Sequence, residues 1–328
     1  MIISKTPFRI SLIGGGTDFP SYYKKKSGLV IGGTIDKYCY VTARFLPKVF
    51  DYKHRIVWSK NEVVNSNNEI LHPTVRSVFN YLKINKGLEI HYQGDLQKNS
   101  GLGTSSSFCV GLINSIKKLY NKNTSSLDLA NTAIHIEQNV MKENSGSQDQ
   151  IWASYGGFNS IEFNKKNKFN VRKIPLTRLK INKLNDNLFL IYTGIHKYSH
   201  VIEGDKMLNF QKNIIFLDQI YLLAKEFKST IVKNDNLDFI GDLLNEYWFL
   251  KKKLSNKVSN LKIDEIYNEC INAGASGGKI IGSGGGGFLL IYCKKKFHTV
   301  LKRRLKKLPI VSFKFVEDSS KIIFNSKS

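Results

Sequence analysis

Asn99-Ser100-Gly101-Leu102-Gly103-Thr104-Ser105-Ser106-Ser107, followed at once by Phe108 to Tyr120, is the stretch on which the reading of this chain turns. Upstream, Leu88, Ile90 and Tyr92 alternate with Glu89 and His91, the period-2 pattern of a half-buried strand. Downstream, Cys109, Leu112, Ile113, Ile116 and Leu119 recur at helical spacing. A strand therefore feeds a glycine-and-hydroxyl loop that opens a helix. The first turn of a helix carries unpaired N–H groups and the positive end of the macrodipole, so such a loop is a ready anion cradle. Glycines let phosphate oxygens approach the main chain, and hydroxyls add donors or a cation ligand. The loop lacks the Gly-Lys-Ser/Thr ending of the Walker motif. Helix capping accounts for one or two of its hydroxyls but not for four in a row behind Gly-x-Gly.

At 328 residues and 41% hydrophobic content, the chain suits two packed domains with sizeable cores. No apolar run approaches the roughly 18 residues of a membrane span. Lys5 and Arg9 interrupt the apolar N-terminus, which excludes a signal peptide there. Cys39, Cys109, Cys270 and Cys293 show neither CxxC nor His-paired spacing, so they read as reduced, buried thiols in a cytoplasmic protein. The formal charge of +24 invites a nucleic-acid reading. However, the positive runs are scattered, lysine-rich and free of interleaved stacking aromatics, so a solvated surface is favoured over nucleic-acid binding. A positive field still helps gather phosphorylated substrates.

Along the chain, Ile2 to Ile13 reads as a strand ending in Gly14-Gly15-Gly16-Thr17-Asp18-Phe19-Pro20, a turn in which backbone and carboxylate can face a ligand or Asp18 can simply cap. Leu29 to Phe45 and Arg55 to Trp58 have strand-like content, Asn61 to Asn68 reads as a polar loop, and Pro73 to Leu82 as a helix. Leu127 to Asn139 is expected to be helical, with Asn144 to Gln150 a loop and Phe158 to Phe163 a strand. The lysine- and asparagine-rich stretch 164–170 is taken as the domain boundary, dividing the chain into 1–168 and 169–328. The second half is expected to hold a strand at Leu188 to Thr193 and helices around 213–232, 237–254 and 263–273. Tyr247 and Trp248 are placed in the core. A glycine run from Gly274 to Gly287 follows, then strands at 288–293, 312–316 and 322–324.

Three glycine-rich segments, near residues 14, 101 and 282, come in a fixed order with distinct grammar. Together they resemble the GHMP kinases. Thr6-Pro7-Phe8-Arg9 through Asp18 looks like that family's substrate-side motif, Gly101 to Ser107 its phosphate loop, and Gly274 to Gly287 its third motif. Ser147-Gln148-Asp149-Gln150 and Tyr155-Gly156-Gly157-Phe158 look like the branch that phosphorylates the anomeric hydroxyl of sugars. The resemblance spans essentially the whole chain. It implies a two-domain α+β fold with the active site in the cleft between the N- and C-terminal domains, and ATP, magnesium and a sugar phosphate as ligands.

The resemblance also implies roles for individual residues. Gly101, Leu102, Gly103, Thr104, Ser105 and Ser106 would wrap the ATP phosphates, and Ser105 and Glu137 would hold magnesium. Asp149 is the candidate general base, with Gln148 and Gln150 placed to hold its carboxylate and Arg9 lying against it or the transferred group. Gly15, Gly16, Thr17 and Asp18, with Arg9, Asp149, Gly284 and Gly285, are the expected acceptor contacts. A distal phosphate would need a cation: Arg44, Lys197 or another basic side chain. His196 and His200 stand four apart but lack a third ligand and are read as non-metal. Oligomeric state is not legible.

Overall fold

The computed structural model describes residues 1–97, 100–195 and 199–326. The first half runs β1 (Ile2–Ile13), α1 (Pro20–Lys26), β2 (Gly28–Phe45), β3 (His54–Val57), β4 (Asn61–Val64), α2 (Pro73–Tyr81), β5 (Leu88–Gly94), α3 (Thr104–Leu119), α4 (Ser126–His135), α5 (Gln148–Tyr155), β6 (Phe158–Phe163) and β7 (Phe169–Lys173). The second half runs α6 (Arg178–Asn187), β8 (Leu188–Tyr192), α7 (Ser199–Leu208), α8 (Phe210–Lys233), α9 (Phe239–Lys253), α10 (Leu261–Asn272), β9 (Ala275–Ile280), β10 (Phe288–Cys293), α11 (His298–Arg304), β11 (Ile310–Val311) and β12 (Lys321–Asn325).

The spine of the first sheet is β2. Its stretch from Ile31 to Ala43 pairs antiparallel with β1, its first part (Gly28 to Gly33) with β6, and its last part (Cys39 to Phe45) with β5. Beyond β5, β3 joins in parallel and β4 closes the edge, while β7 extends β6. A second, smaller sheet has the order β11-β8-β10-β9. α3 lies along β1 and β2, α9 along β9, and α8 packs on both α9 and β2. α9 buries Ile240, Leu243, Leu244, Tyr247 and Trp248, an i, i+3, i+4 stripe that holds it to the second sheet. Close approach there depends on glycine: a Cβ on Gly277 would lie 2.1 Å from the Gly241 carbonyl oxygen. One apolar core runs from Ile10, Val41 and Leu112 in the first half to Leu190, Leu244 and Leu290 in the second, so the two halves are joined through it.

Several expectations are corrected. The polar stretch after residue 60 contains β4, whose central Glu62 is buried because Trp58 Nε1 (2.7 Å) and the N–H groups of Leu71 (2.6 Å) and His72 (3.1 Å) all donate to it. The supposed loop 144–150 becomes helical at Gln148. The glycine run 274–287 holds the strand β9. Segment 312–316 makes only a single bridge, Phe315 to Ile35. Strand β7 pairs with β6 in the first sheet, and β12 returns to pair with β1.

Candidate active site

The three glycine segments meet at one cleft of about 670 Å³. Its walls include Arg9 and Gly15 of the first segment, Gly101 to Ser106 of the second, and Gly282 and Ser283 of the third, with Glu137, Asp149 and Lys279. Each is positioned by the element that carries it. Gly103 takes φ 73° as the residue before α3, so the chain turns sharply into the helix and no side chain caps its first N–H groups. Ser107 Oγ donates to the Pro7 carbonyl (2.8 Å), fastening the loop to β1. The Phe288 N–H donates to the Ser100 carbonyl (3.3 Å), tying the start of β10 to the same loop.

Arg9, buried on β1, donates through Nε to Asp149 Oδ1 (2.7 Å), through Nη2 to Asp149 Oδ2, and through Nη1 to the Gly101 carbonyl (2.5 Å). This bidentate fork fixes the carboxylate in the first turn of α5, while each oxygen keeps a lone pair for an incoming hydroxyl. Glu137 sits on a single π-helical turn, Ile136–Val140, that prolongs α4; such turns often redirect one functional side chain. Its Oε2 accepts from Ser106 Oγ (2.9 Å) and Gln150 Nε2 (2.5 Å), whereas Oε1 is buried without a partner. Burial, then the charge of Glu143, push Glu137 up to about 8 against those two hydrogen bonds. Asp18 is also fully buried, accepting from the N–H groups of Gly16 (2.9 Å) and Gln148 (3.3 Å). Burial pushes it up to about 6, opposed by the Gly16 N–H and reinforced by the charge of Asp149.

The cleft thus brings together Arg9, Gly15, Gly16, Asp18, Gly101, Gly103, Thr104, Ser105, Ser106, Glu137 and Asp149. Other expectations fall elsewhere. Thr17 is off the wall: its hydroxyl staples the turn by donating to the carbonyls of Gly14 (2.8 Å) and Leu29 (3.0 Å). Leu102 is a core side chain whose carbonyl accepts from the Arg9 N–H (3.0 Å). Gly284 and Gly285 turn away against Val258, the Gly285 N–H donating to its carbonyl (2.8 Å). Arg44 is on β2 beside Arg55, both paired with Glu89, and is not part of the cleft wall. The hydroxyl on Glu137 is that of Ser106, with Ser105 exposed in the cleft. Gln150 holds Glu137 rather than Asp149. Asn99, His196 and Lys197 lie outside the described residues.

Sequence reasoning missed Tyr247, whose hydroxyl donates to the Gly15 carbonyl (2.9 Å), and Gly146, where a Cβ would lie 1.9 Å from Asp18 Oδ2. It also missed Lys279. The lysine inside the third glycine segment and the small residue beside Asp149 were the available signals.

The donor set suits a hard divalent cation held jointly with phosphate oxygens. A buried carboxylate oxygen lacks a partner, a hydroxyl lies beside it, and among the described residues no cluster of three or more His, Cys, Asp or Glu could cage a metal unaided.

Residues 69–157 match the model of the GHMP kinases N terminal domain and residues 227–305 that of the GHMP kinases C terminal domain. The chain belongs to the GHMP kinase family, whose members are phosphotransferases. The D-glycero-alpha-D-manno-heptose 7-phosphate kinase of Campylobacter jejuni is 28% identical, with 98% of each chain covered. The galactokinase of Pyrococcus furiosus is 24% identical, with 91% of each covered. Among solved structures, a D-glycero-D-manno-heptose 1-phosphate kinase from Bacteroides thetaiotaomicron superposes with a TM-score of 0.81 at 21% identity over the whole of both chains. It has the same fold. No helix among the described residues is long and apolar enough to cross a membrane.

Proposed function

We propose that this kinase transfers the terminal phosphoryl group of ATP to the anomeric hydroxyl of a sugar phosphate. The acceptor is D-glycero-D-manno-heptose 7-phosphate and the product its 1,7-bisphosphate, destined for nucleotide-activated heptose. The single observation that carries this reading is the Arg9–Asp149 fork set directly against the phosphate loop through the Gly101 carbonyl. Full-length similarity to the Campylobacter heptose 7-phosphate kinase directs the choice of acceptor. With all four cysteines buried and free, we place the reaction in the cytoplasm.

In this mechanism the backbone of Gly101 to Ser106 and the start of α3 bind the triphosphate. Asp149 accepts the proton of the anomeric hydroxyl as the new P–O bond forms, and Arg9 holds the base in register. Asp18, oriented by the Gly16 and Gln148 N–H groups, accepts from adjacent sugar hydroxyls. Glu137 and a phosphate-loop hydroxyl, Ser105 or Ser106, would hold magnesium, which would supply neutralisation of the phosphate charge. Beside α1, α7 carries His200 and Lys206 on the cleft wall; we assign the distal phosphate to them.

A panel of acceptors, scored by ADP formed with Mg-ATP, tests the assignment. A kcat/KM for heptose 7-phosphate at least about a hundredfold above that for fucose, arabinose or galactose is expected. Equal or better turnover of an unphosphorylated sugar would overturn the choice of acceptor.

A further inference from the structure

Three lysines, Lys180, Lys251 and Lys279, are buried at 6%, 3% and 2% exposure. Two of them cap the carbonyl ends of elements. Lys180 Nζ donates to Ile231 (3.2 Å) and Val232 (2.8 Å) at the end of α8, and Lys251 Nζ to Ile280 (2.7 Å) and Gly282 (2.6 Å) beyond β9. Lys279 differs. Among the described residues its ammonium has no hydrogen-bond or carboxylate partner, and Nζ rests over the Tyr247 ring, 4.3 Å from the centroid. Its side chain nevertheless lines the cleft.

Its surroundings show where it points. Tyr247, under the ammonium, reaches the acceptor-side segment through the Gly15 carbonyl (2.9 Å). Arg9, the cation that acts on Lys279 across the cleft, reaches the phosphate loop through Gly101 and the base through Asp149. Lys279 therefore occupies the seam between the two loops. A buried cation beside a second cation, with no acid of its own, is costly to keep. Burial, then the Arg9 charge, hold the Lys279 ammonium well below the usual lysine range. Asp149 does not relieve it: its carboxylate is forked on Arg9, and among the described residues no ion pair joins it to Lys279. An entering polyanion would relieve both strains at once.

We propose that Lys279 is a catalytic cation of this kinase, contributed by the second sheet, that hydrogen-bonds the terminal phosphoryl group of ATP before and during its transfer. This rests on the ATP-dependent phosphoryl transfer inferred above, though not on the identity of the acceptor. Lys279 transfers no proton. The bond from the terminal phosphorus to the ADP oxygen breaks, the bond to the acceptor oxygen forms, and the acceptor's proton goes to Asp149. Charge spreading over the phosphoryl oxygens meets an ammonium already in place, so little reorganisation is needed at the moment of reaction.

The test is calorimetric titration of ATP and of ADP, each with magnesium, into the wild-type chain, Lys279→Met and Lys279→Arg, alongside thermal melting of each protein. Methionine keeps the length of the stem and removes the charge. The expected result for Lys279→Met is ADP affinity within about twofold of wild type, ATP affinity lowered about tenfold, and a melting temperature equal to or above wild type, because a buried unpaired charge is gone. Lys279→Arg should recover part of the preference for ATP. Equal changes in ATP and ADP affinity, no change in either, or a loss accompanied by a lowered melting temperature would overturn the proposal and mark Lys279 as a packing residue. An acceptor panel that yields no sugar phosphate while the ATP preference still depends on Lys279 would sink the acceptor assignment and leave this inference standing.

Discussion

The Arg9–Asp149 pair is the smallest unit that carries the chemistry. A guanidinium fork fixes the carboxylate in place, which suits a base that must meet one hydroxyl in one direction. Replacing Asp149 with Asn keeps its size and polarity but removes the proton acceptor. Asp149→Asn should lower kcat at least about a hundredfold, with acceptor KM changed less than about threefold, as read by steady-state kinetics. Asp18 adds a pH dependence of its own. Only its ionised form accepts two hydroxyls, and burial holds it up to about 6, so acceptor KM should climb as pH falls through 6, as read by steady-state kinetics across that range. The sign for folding is opposite. Because the folded value lies above the unfolded one, the contribution of Asp18 to stability is full below about pH 4 and is lost as pH rises through 6.

At the scale of elements, the site is three strand-to-loop junctions, and these were the legible part. Glycine ends a strand or opens a helix in a way that composition betrays, so residues 14–16, 101–103 and the glycine-rich third segment stood out before any coordinates. What the sequence concealed was set by partners distant in the chain. Thr17 looks like a ligand hydroxyl until Gly14 and Leu29 claim it. Gln150 flanks the base in sequence, yet successive helical positions point about 100° apart, and its amide reaches Glu137 instead. Strand β9 hides in a glycine run because close contact with α9, rather than strand propensity, selects its residues. The junction before α3 gives a sharp test. Gly103 has φ 73°, and a Cβ there would lie 3.2 Å from Arg9 Cγ. Gly103→Ala should cost about 1–2 kcal/mol of stability in a denaturant titration. It should also lower kcat about tenfold or more by shifting the arginine, whereas a purely local strain would leave kcat unchanged.

Across the whole molecule, one core joins both sheets, and the last strand returns to the first. Tyr38 donates to Asp318 (2.8 Å), Ser320 shares a hydrogen bond with Thr6 (2.8 Å), and its N–H donates to the Ala153 carbonyl (2.8 Å). None of these residues lines the cleft. Removing residues 318–328 should therefore lower the melting temperature by about 5 °C or more while leaving kcat at low temperature within about threefold. The most direct check on the central claim, that this cleft passes a phosphoryl group from ATP to an anomeric hydroxyl, is phosphorus NMR of the product formed from Mg-ATP and heptose 7-phosphate. The account predicts ADP together with a bisphosphate whose new phosphorus couples to the anomeric proton. Phosphate appearing on any other hydroxyl, or only free inorganic phosphate, would contradict it.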